Sequence, residues 1–179
     1  MPARVLAYVR GACIAAAASL ALAACQSTDQ REDATSSSTI AGAEAPLRPV
    51  GNNTGAGSVR FVARKDGVSM LVFLSGVPAG QYRVAIHAMG NCTSPNGFSA
   101  GPVWSIPGVG PQVLVVSTNT EGTATVTRRI AGVRLDGPDG LMGHSVVLHD
   151  RSVGPLDAEP GKRNDRLACG VIEPVRTIF

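Results

Sequence analysis

The chain has 179 residues, of which 44% are hydrophobic, 16% charged and 4% aromatic, with 21 Gly and 12 Pro. That length carries one ordinary domain with extensions, not two large ones, and so apolar and sparsely charged a chain is not disordered. A formal net charge of +3, with no Lys/Arg run longer than two residues, leaves no nucleic-acid footprint. High Gly with scarce Lys suits short strands joined by turns better than a helical bundle.

The chain opens on a targeting pattern. Arg4 and Arg10 form a basic region, and 11–24 is an apolar run too short to anchor stably across a bilayer. The run ends in Leu22-Ala23-Ala24-Cys25, which resembles the lipobox of bacterial lipoproteins, in which the Cys thiol is lipidated and the preceding peptide removed. The resemblance implies a signal peptide over 1–24, lipidation at Cys25 and membrane attachment through that lipid. Removing the signal takes away two arginines and no acid, so most of the positive balance goes with it. Gln26, in place of Asp, resembles sorting to the outer membrane, which puts the protein in the bacterial cell envelope on the periplasmic face.

Residues 25–44 are rich in Ser, Thr, Ala, Asp and Glu, lack periodicity and read as a flexible tether. A domain is expected over 45–179. Leu47 to Val50 reads as a short first strand. In Ser58 to Arg64, Val59, Phe61 and Ala63 share one face and Arg60 and Arg64 the other. Asp66-Gly67 signals a hairpin into Val68 to Leu74. Gln81 to Ala88 follows a Pro78-Ala79-Gly80 turn. Gln112 to Ser117 and Thr123 to Ile130 flank Glu121-Gly122 as a second hairpin, and His144 to His149 and Leu167 to Ile172 complete the set. No segment of the domain keeps a helical period. The class is all-β, a sandwich or flattened barrel.

Of four cysteines, Cys13 leaves with the signal and Cys25 takes the lipid. Cys92 and Cys169 remain as an even pair in an oxidising compartment, which favours a disulfide over two free buried thiols.

The segment Arg166-Leu-Ala-Cys-Gly-Val-Ile172 resembles the C-terminal signature of the copper/zinc superoxide dismutases. His144-Ser-Val-Val-Leu-His149 resembles the preceding strand, and Val84-Ala-Ile-His-Ala-Met-Gly-Asn-Cys-Thr93 resembles the paired-histidine strand with its following Cys. Ser99-Ala-Gly-Pro102, Gly76-Val-Pro-Ala-Gly80 and Glu121-Gly-Thr-Ala-Thr125 resemble further family segments, in the same order. The resemblance implies an eight-stranded Greek-key β-barrel and a Cys92–Cys169 bridge.

It also implies a metal site, which this sequence carries only in part. His87 and His149 fall on copper-ligand positions, while the two remaining copper positions are Ala85 and Val103. The stretch 104–113 holds neither His nor Asp, so zinc is not expected. Cu(II) favours four tetragonal ligands, so two imidazoles, even with the Met89 thioether, would hold copper weakly or not at all. Arg166 matches the superoxide-attracting arginine, with Asp165 or a backbone carbonyl as its partner once the metal is lost. Two readings follow. One is a degenerate member acting as a binding or structural module with an unnamed protein partner; the other is a weak copper protein with residual dismutation through His87 and His149.

Overall fold

The computed structural model describes residues 42–151 and 165–175. The expected signal peptide, the expected lipidation position Cys25 and the expected tether up to residue 41 lie outside them. Eight strands carry the domain: β1 (Gly42–Pro49), β2 (Ala56–Arg64), β3 (Gly67–Ser75), β4 (Gly80–His87), β7 (Val113–Thr118), β8 (Ala124–Ala131), β9 (Ser145–Asp150) and β10 (Arg166–Val171). Three two-residue strands, β5 (Ser105–Ile106), β6 (Gly110–Pro111) and β11 (Glu173–Pro174), are added to them. β1 begins at Gly42, ahead of the Ala45 boundary and well before Leu47, so the end of the expected tether is strand.

The order β7-β4-β9-β10-β1-β2-β3-β8, antiparallel throughout, wraps into a nearly closed Greek-key barrel. Period-two alternation builds its interior: Val59 and Phe61 from β2, Val68, Met70, Val72 and Leu74 from β3, and Tyr82, Val84 and Ile86 from β4 all join one core cluster.

Two expectations about turns change. Arg64 pairs with Gly67, so the residues of the first hairpin loop are Lys65 and Asp66. Gly67 serves a different end, because a Cβ there would lie 2.2 Å from the Ile130 oxygen of β8. The second expected hairpin is not a ladder. β7 and β8 are joined by a tight turn, closed by Asn119 and Thr123, yet β7 pairs with β4 and β8 with β3. The turn brings the two ends of the sheet together and nearly closes the barrel.

The predicted disulfide is present. Cys92 and Cys169 are 77 residues apart, with Cα atoms at 5.7 Å. It fastens the loop after β4 to β10, above a small apolar cluster of Val50, Ala100, Val147 and Cys169 that lies apart from the main core.

Candidate functional site

The alternation that sends Tyr82, Val84 and Ile86 into the core turns Arg83, Ala85 and His87 to the opposite face of β4. On β9, Val146 and Leu148 point inward, and Ser145, Val147 and His149 point the other way. The register pairs Arg83 with His149, Ala85 with Val147 and His87 with Ser145. The two histidines are therefore diagonal, with the Ala85–Val147 pair between them. The segment 100–104 runs beside the end of β4 through Met89 N–H to Ala100 O, Ala88 N–H to Pro102 O and Trp104 N–H to Ile86 O. Under this cover both imidazoles are fully buried.

The rings meet. His87 Nε2 and His149 Nε2 are 2.9 Å apart, and the ring centroids 5.1 Å apart with planes inclined by 18°. The outer nitrogen of each ring is also engaged. His87 Nδ1 donates to the Gly101 carbonyl at 2.8 Å, and His149 Nδ1 donates to Asp165 Oδ2 at 3.0 Å. The same Asp165 oxygen accepts from Arg83 at 3.3 Å, and Arg83 donates to the Asp150 carbonyl at 2.9 Å. A polar chain thus runs from Arg83 through Asp165, His149 and His87 to Gly101. Burial pushes the His149 pKa below the ordinary 6.5; Asp165 acts against that shift, while Arg166 and Arg83 add to it.

Arg166 is 3% exposed. It donates to the carbonyls of Gly97 at 2.8 Å and Gly101 at 2.9 Å, and its guanidinium lies 4.8 Å from the Phe98 ring centroid. Of the two partners considered for it, the backbone is the one found, and Asp165 serves Arg83 and His149. Met89 is 55% exposed and stands apart from the buried pair. His144 lies outside β9, donates through Nδ1 to Ala88 O and stacks on Trp104 with centroids 3.7 Å apart.

A copper/zinc superoxide dismutase (SODC) family model matches residues 55–172. The chain belongs to this family. A relative, superoxide dismutase [Cu-Zn] 2 of Brassica juncea, is 25% identical over 134 residues, covering 65% of this chain and 88% of its own length. Among solved structures, the clock protein EA4 is similar at 25% identity with a TM-score of 0.61, over 76% of this chain and 96% of that one.

Membership suggests copper, and the residues present test that suggestion. Ala85 occupies one expected ligand position and offers no donor. Val103 occupies another and forms a backbone bridge with His87. The two remaining imidazoles supply half of the four tetragonal ligands that Cu(II) favours. Among the described residues no group of three or more His, Cys, Asp or Glu is placed to hold a metal ion. The donor set does not fit the copper centre of a dismutase.

Asp165 as the partner of His149, and Arg83 behind it, were not foreseen. Arg83 shares a face with His87 by simple alternation, a usable signal. Asp165 precedes β10, where a register irregularity between Arg166 and Ala168 breaks the alternation that would have placed it.

Proposed function

We propose that this chain is a superoxide dismutase family member that does not dismutate superoxide, and that it acts as a lipid-anchored binding or structural module of the bacterial envelope. The observation behind the reading is the donor set, with Ala85 and Val103, which carry no donor, at two of the expected ligand positions. Redox turnover needs a metal held in two oxidation states, and the side chains here support one another instead. Arg166 fits the reading, because its guanidinium is engaged by two carbonyls beneath the surface.

The test is copper content after Cu(I) loading and desalting, beside a His87→Gln/His149→Gln variant, with superoxide consumption measured on both. Parent and variant are expected to retain equally little copper and to show no turnover. About one copper per chain retained by the parent alone, with turnover, would replace this reading by that of a weak copper protein. Mass spectrometry of the membrane-extracted protein tests the anchor: an acylated Cys25 at a new N-terminus is expected, and an intact leader would refute it.

A further inference from the structure

Several of the apolar side chains left exposed on the barrel gather on one face. Val62 on β2 and Phe73 on β3 are 39% and 37% exposed, and Leu71 is partly buried. The register sets Val62 beside Ser69, Arg60 beside Leu71 and Ser58 beside Phe73, so all three lie on the outer face, opposite the inward Val59, Phe61, Met70 and Val72. Val175, exposed after β11, extends the strip: its N–H donates to the Gly42 carbonyl at 3.1 Å, and Gly42 pairs with Val62 in the β1–β2 ladder. The first described residue of the domain thus lies between two exposed valines.

Cations surround this strip. β2, β3, their 65–66 turn and β8 carry Arg60, Arg64, Lys65, Arg128 and Arg129 against one acid, Asp66. Arg60 and Arg64 share the outer face with Val62 by alternation, and Arg129 joins it opposite Ser69. Glu44 on β1 pairs with Arg60, Asp66 pairs with Arg129, and Ser69 Oγ accepts from Arg64. Both paired arginines are more than half exposed, so these pairs are weak and open to exchange. Apolar side chains set among arginines suit an anionic lipid surface, where the former enter the headgroup boundary and guanidiniums meet phosphates. A second copy of the chain fits poorly, because a two-fold contact would bring Arg60, Arg64 and Arg129 against the same arginines.

The point of entry of the chain favours a membrane over other anionic partners. Only residues 26–41 separate Cys25 from Gly42, and a flexible chain of that length spans about 22 Å. We infer that the outer face of β2 and β3, with Arg129 of β8, docks on the anionic phospholipid surface that holds the lipid. This inference rests on the lipid-anchored reading, but the two fail separately.

The test uses the full chain extracted from membranes, in vesicles of phosphatidylcholine alone and of an equal mixture with phosphatidylglycerol. Co-sedimentation with the neutral vesicles reads the anchor. Arginine modification by phenylglyoxal, followed by mass spectrometry, reads the face. Arg60, Arg64 and Arg129 should react about fivefold more slowly on the mixed vesicles, the factor that one cation gains near an anionic leaflet. Arg151, exposed beyond β9, should react equally on both, and high salt should remove the difference. Arg60→Gln/Arg64→Gln, at exposed positions, should return Arg129 to its rate on neutral vesicles. Equal rates on the two compositions, for a chain that neutral vesicles retain, overturn the docking and leave the anchor standing. That holds whether both rates are slow, as a second copy would make them, or both fast. Protection on mixed vesicles of a chain that neutral vesicles do not retain upholds the face and overturns the anchor. Neither retention nor protection overturns both.

Discussion

His87 and Arg166 donate to one acceptor, the Gly101 carbonyl oxygen, at 2.8 and 2.9 Å. One donor comes from the end of β4 and the other from the start of β10, so the carbonyl ties the covering segment to two strands at once. Gly101 makes this possible with φ of 73°, a conformation that side chains disfavour. The cover over the histidine pair is therefore held by polar contacts, with the disulfide as a covalent second fastening.

Arg166→Ala should destabilise the fold by about 3 kcal/mol, because two charge-assisted bonds to buried carbonyls are lost together. Arg166→Lys should recover only part of this, since an ammonium cannot span the two acceptors as the planar fork does. Urea midpoints of the three proteins measure it. Were the arginine serving to attract superoxide, the midpoint would stay and the salt dependence of superoxide consumption would change.

Opening the Cys92–Cys169 bridge releases a loop of 77 residues. The chain-entropy model assigns such a closure about 4 kcal/mol. A Cys92→Ser/Cys169→Ser variant should lose about that much stability, and reductant should lower the parent's midpoint while leaving the variant's unchanged. Amide exchange should rise first in 97–104, which the bridge and Gly101 hold in place.

Asp165→Ala removes the only carboxylate in the polar chain and leaves Arg83 and His149 facing each other. Asp165 is 2% exposed and Arg83 17%, so water compensates little. The loss should be about 3 kcal/mol. Asp165→Asn keeps an acceptor and should cost less. Equal costs for the two would show that the charge, not the acceptor, matters.

Much of this was legible in the residues. Alternation in 58–64 and 68–74 gave β2 and β3, cysteine counting gave the bridge, and the resemblance gave the barrel and the positions of His87 and His149. What alternation could not give was which strand pairs with which. The Glu121-Gly122 turn has the chemistry of a hairpin, but the loop joins strands that pair elsewhere, a choice made by barrel closure and not by the turn. The contact between the histidines was also hidden. It depends on their diagonal register across Ala85 and Val147, on the cover from 100–104, and on an aspartate placed by a register irregularity.

The last expectation concerns acid. His149 has its pKa lowered by burial, against about 6.5 in the unfolded chain. A group depressed in the folded state stabilises the fold above the unfolded value, and that contribution is lost as pH falls toward the folded value. In physical terms, the buried imidazole meets a proton as added charge where water is excluded, while the unfolded chain accepts it freely. Stability should therefore fall on acidification from about pH 6.5, and His149→Gln should flatten that part of the profile. Urea midpoints between about pH 5 and 7.5, above the range in which carboxylates titrate, measure it. An unchanged slope in His149→Gln would show that the acid sensitivity arises elsewhere.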